Sequence, residues 1–337
     1  MKCVVCRQPN ELNVKEIDRP TAGPGEALIR VRRIGICGTD FHAFRGNQPF
    51  FTYPRVLGHE LAGTIEEIGP NNAGLNTGDP VAIIPYLECG KCLACRMDKV
   101  NCCTSLKVIG VHIDGGMQEF LAVPIDHLLK TGEISIDQSV ILEPLSIGAH
   151  AVRRAEITPG EHVLVIGAGP IGLSVMAFAA IQGAKVSVMD VNEERLKFAR
   201  EWANLHRTLN ALDNPMDALS NITGGDFPTV VFDATGNPGS MMSSFNYVAN
   251  GGKLVFVGLV KADISFSDPD FHRKELTLFA SRNATRQDFE TVKETIRTGE
   301  IDSSRYITHR TDLNHIAGRF EELFDPTARV IKAIVEV

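Results

Sequence analysis

The sequence predicts an α/β chain that joins a mostly β domain to a doubly wound, parallel-sheet domain. Three observations predict it. Short β-branched runs punctuated by glycine and proline fill residues 1–148. From Glu143-Pro144 onward, apolar runs alternate with helical patterns, the signature of a parallel sheet covered on both faces. A glycine-rich turn joins the first of those later runs to the first helix after it. At 337 residues the chain is long enough for two cores.

In the first region the strand candidates are Ala27–Val31, Gly63–Ile68 and Val81–Ile84. Ser146–Ala155 then reads as a helix rich in alanine and isoleucine. The alternating region follows: strand His162–Ile166, helix Ile171–Gln182, strand Lys185–Met189, helix Glu193–Ala203, strands Thr229–Asp233 and Lys253–Val257. The tail has helical stretches at Phe289–Thr298 and around Leu313–Phe324, then an apolar strand, Val330–Val337. It is too short for a core of its own and is expected to fold back on the first domain. The division expected is therefore 1–148 with 285–337, around 149–284.

Composition narrows the function classes. A formal net charge of −7, with cations scattered in short pairs such as Arg32-Arg33 and Arg153-Arg154, gives no electrostatic footprint for nucleic acid. Val163–Ile181 is the richest apolar stretch, and glycines and a proline break it, so no membrane partner is expected. The first residues lack a secretory pattern, and a cytoplasmic location is the default expectation. No internal repeat stands out. Of the eight cysteines, five cluster between Cys89 and Cys103, which points to metal rather than to a disulfide scaffold.

Gly167-Ala168-Gly169-Pro170-Ile171-Gly172 has G-x-G-x-x-G spacing between a predicted strand and a predicted helix. Gly167 permits the tight turn, Gly169 lets backbone approach a pyrophosphate, and Gly172 allows close helix–strand packing. The helix N-terminus offers amide N–H groups to phosphate. Asp190 ends the next strand, where a carboxylate accepts ribose hydroxyls and repels a 2′-phosphate, so NAD is favoured over NADP. Arg195 either reaches the adenosine end or is a helix-surface cation.

Cys89-x2-Cys92-x2-Cys95-x7-Cys103 suits a closed tetrahedral zinc site in a lobe of residues 85–104. Gly90 eases the turn between the first two sulfurs. Cys102 is an alternative to Cys103, and spacing does not decide between them. Cys3 and Cys6 lie an odd number of residues apart on a strand, so they face opposite ways and read as ordinary core or edge residues. A second constellation comprises Cys37-Gly38-Thr39-Asp40-Phe41-His42, Gly58-His59-Glu60 and Glu143.

With these marks in this order, the chain resembles the zinc-containing medium-chain alcohol dehydrogenase superfamily along essentially its whole length. The carrying motifs are Gly58-His59-Glu60-x2-Gly63-x5-Gly69, Cys37-Gly38-Thr39-Asp40-x-His42, the four-cysteine lobe and the Gly167 turn. Asn72 and Pro80 depart from the family pattern, both in a loop away from the chemistry. The resemblance implies a GroES-like catalytic domain split around a Rossmann domain, a homodimer or homotetramer, and a catalytic zinc beside the structural one. Glu143, where alcohol-specific members carry cysteine, resembles the sorbitol, threonine and sugar-acid branch. Gly46–Phe51, Gly110–Gly116 and Ser281–Thr285 look most like the L-galactonate and L-gulonate 5-dehydrogenases within it.

The implied catalytic zinc takes Cys37, His59 and either Glu143 or Glu60, with Glu143 ranked first and Glu60 exchanging with water or acting from behind. The metal acts as a Lewis acid on a secondary hydroxyl of a small polyhydroxy substrate. Thr39 accepts the proton, and His42 passes it to solvent. The resulting alkoxide yields hydride to the nicotinamide. Asp40 either orients His59 or caps a turn. Thr235, Val257, Ser281 and Asn283 are further cofactor candidates. Arg282 or Arg45 is the candidate partner of a substrate carboxylate, with Asn47 and His112 on hydroxyls. Polyol or L-threonine oxidation is the alternative chemistry. A binding protein without activity is disfavoured by the complete ligand set, and a DNA-binding zinc protein by the acidic balance.

Overall fold

The structure, a computed structural model, describes residues 1–337 apart from Asn204 and His206. Residues 1–143 carry strands β1 (Lys2–Gln8), β2 (Glu11–Glu16), β3 (Glu26–Ile36), β4 (Arg55–Val56), β5 (Glu60–Ile68), β6 (Pro80–Ile83), β7 (Tyr86–Leu87), β8 (Lys107–Val108), β9 (Phe120–Pro124) and β10 (Leu128–Lys130). Their helices are α1 (Gly38–Phe44), α2 (Leu93–Arg96) and α3 (Ile136–Val140), and α4 (Leu142–Ala155) begins at the segment's end. The next segment holds β11 (His162–Ile166), α5 (Pro170–Ile181), β12 (Lys185–Asp190), α6 (Glu193–Trp202), β13 (Thr208–Asn210), α7 (Pro215–Thr223) and β14 (Val230–Asp233). It continues through α8 (Pro238–Ser243), β15 (Lys253–Phe256), α9 (Asp268–Arg273) and β16 (Thr277–Ala280). The tail forms α10 (Arg286–Thr298), β17 (Ile307–Asp312), α11 (Ile316–Arg319) and β18 (Lys332–Glu336).

The chain divides into two compact units, Met1–Glu143 with Thr285–Val337, and Pro144–Ala284. The first division falls near the start of α4, whereas the sequence reading placed it later on the same helix. In the first unit, the main sheet runs β10-β6-β5-β3-β18-β17, with β9 also paired to β3. Ala27, Leu28, Ile29, Val31, Ile34 and Ile36 of β3 are all buried, so the longest strand of the unit is also part of its core. Leu57, Leu61, Ile65 and Met117 pack into the same cluster. Strand β1 lies between β2 and β4, and both Cys3 and Cys6 are fully buried. Burial pushes both thiols up to about 11, which suits packing and not metal binding.

The second unit is a six-stranded parallel sheet in the order β13-β12-β11-β14-β15-β16. The order reverses between β11 and β14, and a doubly wound sheet binds its ligand outside the carboxyl ends of the strands at that reversal. Leu164, Val165, Val231 and Phe232 have no exposure, as expected of strands covered on both faces. Two expectations needed adjustment. The helix expected across Leu313–Phe324 breaks into α11 and a separate turn at Glu322–Phe324. Strands β13 and β16 and helices α7 to α9 are short and were not anticipated.

Candidate metal centres and cofactor site

The four-cysteine lobe stands on a short hairpin. β7 and β8 pair through Tyr86↔Val108 and Leu87↔Lys107, and the cysteines lie in the excursion between them. Gly90 adopts φ +69°, which lets the chain turn back after Cys89. Cys92 is the N-cap of α2, placing Cys95 in its single turn, and a 3-10 turn at Val100–Cys102 delivers Cys103. The sulfurs of Cys89, Cys92, Cys95 and Cys103 lie within 4.8 Å of one another, and the Cys92–Cys95 separation is 3.5 Å. Tetrahedral zinc with Zn–S bonds of about 2.3 Å needs sulfurs about 3.8 Å apart, so the set fits. The Cys103 sulfur accepts the N–H groups of Cys89 at 3.3 Å and Ser105 at 3.4 Å. Amide donors from Cys95 and Thr104 pull the Cys92 thiol down to about 5, while burial and neighbouring sulfurs push Cys95 up to about 12. Cys102 is exposed and outside the set, so Cys103 is the fourth member.

The second cluster is assembled from distant parts of the first unit. Cys37 precedes α1, His59 precedes β5, and Glu60 begins it. Ligand atoms of Cys37, His59 and Glu60 lie within 4.8 Å of one another. One thiolate, one imidazole and one carboxylate form the kind of mixed set that leaves a fourth tetrahedral position for chemistry. Gly58, at φ +93°, makes the turn into the His-Glu pair. Its carbonyl is covered by Gly110 and Gly115, where an added Cβ would approach to 2.5 and 2.4 Å, and it accepts the Gly116 N–H at 2.9 Å. The Gly110–Gly116 stretch therefore acts as a backing plate for His59.

Asp40 caps the turn into α1 and stands beside His59 without bonding to it. Its carboxylate accepts the Cys37 N–H at 2.9 Å in a capping box and the Gly58 N–H at 3.2 Å, and stands 3.6 Å from His59 Nδ1. His59 Nδ1 is buried and has no hydrogen-bond partner among the described residues. Burial pushes the His59 ring down, but Asp40 and then Cys37 outweigh it and hold the ring well above its usual range.

The two glutamates are placed differently. Glu60 belongs to the tight cluster, whereas Glu143 lies outside it and accepts a hydrogen bond from the Tyr86 hydroxyl. Burial is the main cause that lifts the Glu143 carboxyl to about 7. The reason is positional: Glu60 follows His59 directly, while Glu143 comes from the first turn of α4, where Tyr86 meets it. Sequence reasoning missed Lys332, whose Nζ donates to both Glu60 oxygens, at 2.6 and 2.8 Å. Burial depresses this ammonium, but Glu60 and then Cys37 overcome that and raise it. It also missed Tyr86. Neither residue belongs to a motif.

Thr39 is half-buried in the first turn of α1, and His42 is exposed in its last turn. Asn47 is exposed, with its N–H on the His42 carbonyl at 2.8 Å. His112 Nδ1 accepts the Val108 N–H at 3.1 Å, and its ring stacks on Phe50. Arg45 is exposed and engaged by Glu321 at 3.2 Å and Asn10 at 2.9 Å.

In the second unit, Gly167 (φ +98°), Gly169, Pro170, Ile171 and Gly172 link β11 to α5. Gly169 is the N-cap and Pro170 occupies the first turn, where a missing N–H costs nothing. A Cβ on Gly172 would lie 1.8 Å from the Gly167 carbonyl oxygen, so only glycine lets α5 sit this close. Asp190 accepts the Ala168 N–H at 2.7 Å and the Asn192 N–H at 2.9 Å, which fixes its carboxylate beside the glycine turn. Arg195 brings Nη1 within 4.0 Å of the position a Gly169 Cβ would take. Thr235 is held by Asp233 across the reversal, and an added Cβ on Gly167 would meet Thr235 at 3.2 Å. Val257 follows β15, with its N–H on the Asp233 carbonyl at 2.9 Å. Ser281 and Asn283 follow β16, and Ser281 Oγ and Asn283 Nδ2 are buried without hydrogen-bond partners among the described residues. Orphaned polar atoms beyond the carboxyl ends of the strands fit a polar cofactor there. Arg282 is exposed between them.

Comparison with known proteins agrees with this geometry. Residues 23–133 match the alcohol dehydrogenase GroES-like domain, and residues 170–298 match the zinc-binding dehydrogenase family. L-galactonate-5-dehydrogenase of Escherichia coli is 45% identical, over 99% of this chain and 98% of its own. A sorbitol dehydrogenase of Arabidopsis thaliana is 30% identical, over 96% of this chain and 91% of its own. The crystal structure of E. coli RspB, described as an alcohol dehydrogenase complexed with NADH, superposes with a TM-score of 0.93 at 31% identity, covering 100% of this chain and 99% of that one. Among the described residues, no helix is long and apolar enough to cross a membrane. A GroES-like unit with two metal-fitting clusters and a Rossmann sheet with its glycine turn place the chain in the zinc-containing medium-chain alcohol dehydrogenase family, as an alcohol-oxidising enzyme.

Proposed function

We propose that this enzyme oxidises a secondary hydroxyl, at C5, of a small sugar acid of the L-galactonate or L-gulonate type, with NAD as acceptor. One observation carries the reading: a Cys–His–Glu donor set in a chain 45% identical, nearly end to end, to L-galactonate-5-dehydrogenase. A polyol is the second reading, supported by the similarity to sorbitol dehydrogenase. A homodimer or homotetramer and a cytoplasmic location complete the proposal, on the family resemblance alone.

Cys37, His59 and Glu60 would hold the catalytic zinc, and Cys89, Cys92, Cys95 and Cys103 the structural one. When bound, zinc supplies an electrophile for the substrate oxygen and NAD a hydride acceptor. The chain supplies the rest. Asp40 fixes the segments of Cys37 and Gly58 together, so that thiolate and imidazole keep their spacing. Thr39 receives the hydroxyl proton, and His42, three residues on and exposed, delivers it to water along the same helix face. Glu143, which accepts a bond from Tyr86, would accept another from a substrate hydroxyl. Asp190 receives the adenosine ribose and disfavours a 2′-phosphate. In the second unit Arg195, Thr235, Val257, Ser281 and Asn283 would line the cofactor's path and Arg282 would meet a substrate carboxylate; in the first unit Asn47 and His112 would contact hydroxyls.

A panel of aldonates, polyols and L-threonine, read by NADH absorbance with NAD and NADP in parallel, tests this. The expected result is kcat/KM highest for a 5-hydroxy aldonate with NAD. Higher values for polyols or threonine would overturn the sugar-acid reading. Arg282→Ala should raise KM for the aldonate by about tenfold or more, the scale of one charge-assisted contact, and leave polyol KM unchanged.

A further inference from the structure

Glu60, Gly35 and Lys332 lie side by side on three adjacent strands, β5, β3 and β18. Gly35 pairs with Glu60 across one border of β3 and with Ile334 across the other. A Cβ on Gly35 would stand 1.9 Å from Glu60 Oε2. The carboxylate thus lies over the central strand in the space glycine leaves, and meets the ammonium from the far strand. Lys332 donates to Glu60 Oε1 at 2.6 Å and Oε2 at 2.8 Å, and to the Ile36 carbonyl, next to Cys37, at 3.2 Å. Lys332 is 2% exposed and Glu60 0%, so water replaces none of these bonds.

The stability of the sheet does not explain a lysine here. Ala333, Ile334 and Val335 of the same strand are buried and apolar, and a well-packed apolar residue usually matches or exceeds a buried ion pair in stability. The same Glu60 carboxylate that the ammonium occupies also has an oxygen within 4.8 Å of the Cys37 sulfur and a His59 nitrogen.

We propose that Lys332 is a positioning residue that competes with the metal for Glu60, docked over Gly35, and so keeps the metal at the Cys37–His59–Glu60 cluster exchangeable. The proposal rests on the reading of that cluster as a zinc site. A fixed positive charge beside a divalent cation weakens its hold, and so does a ligand already shared with an ammonium. Both effects act in the same direction, and neither reaches the four-cysteine lobe, which serves as an internal reference.

The test uses the full-length, zinc-loaded enzyme with an excess of chromogenic chelator, following zinc release in time. Cys37→Ser assigns the phases: loss of one zinc identifies the cluster, and unchanged zinc content overturns both the metal reading and the proposal. Lys332→Met should slow the cluster phase by at least about tenfold, as expected for removing a nearby charge, and leave the lobe phase alone. Lys332→Arg, which keeps the charge, should release zinc at close to the parental rate. An unchanged or faster cluster phase in Lys332→Met overturns the role of Lys332 while leaving the zinc site in place, and faster release from both sites marks a merely structural lysine. Should Lys332→Met fail to fold, Lys332→Gln carries the same two outcomes.

Discussion

The two metal-fitting clusters of the first unit are built in opposite ways. The lobe uses four identical ligands from one short stretch, Cys89 to Cys103, carried on a two-strand hairpin. Backbone amides and neighbouring sulfurs tune its thiols, and no carboxylate takes part in the set. The other cluster uses three different ligands from two stretches of chain, and two of them stand beside an ionisable partner: Asp40 3.6 Å from His59, and Lys332 on Glu60. Uniform, local sulfur suits a closed site that stabilises a loop. Mixed donors with acid–base partners suit a site that must let something in and out.

The largest expected effect separates the two most sharply. Cys37→Ser should remove one zinc per chain and lower kcat/KM by about a thousandfold or more, as loss of a principal electrophile does, while the fold persists. Metal analysis beside steady-state kinetics checks it, and full activity with one zinc would break the division of labour. Cys103→Ser should act the other way, lowering Tm by about 5–10 °C through loss of the lobe metal and changing kcat by no more than about threefold in protein that remains folded. Cys102→Ser should change neither, and a matching drop in Tm would return Cys102 to the ligand set.

The smallest effect is a control away from both clusters. Asp137 accepts bonds from Arg33 at 2.7 Å and Arg310 at 2.6 Å. Burial raises its carboxyl, but the two guanidinium groups outweigh that and hold it below the usual range. A carboxyl depressed in the folded state stabilises the protein above its ordinary pKa of about 3.9 and loses that contribution as pH falls through the folded value. Asp137→Asn should therefore cost about 1 kcal/mol at neutral pH and nothing at strongly acid pH, with both zincs retained. Denaturant titrations at the two pH values measure it.

The same contrast explains what was legible in the sequence. The lobe and the Gly167 turn are written in contiguous residues, so spacing alone located them. The change of patterning near Glu143-Pro144 was also legible, because alternating strands and helices begin there. Lys332 was not, since in sequence it is one polar residue in an apolar strand, and its meaning comes from Glu60 and Gly35 on neighbouring strands. The surroundings of Glu143 and Glu60 were hidden for the same reason: only the fold shows that Tyr86 meets one and Lys332 the other. Strands β13 and β16 were missed because three or four residues carry too little alternation to stand out.

The bond between Lys332 and Glu60 spans 272 residues, and that between Cys89 and Cys103 spans 14. Loop-closure entropy grows as the logarithm of length, so the longer closure costs about 2–3 kcal/mol more in an otherwise free chain. During refolding the lobe therefore becomes competent to capture its ion early, from local residues. The ammonium reaches its carboxylate only after the intervening 144–284 segment has been accommodated and β18 has threaded between β3 and β17.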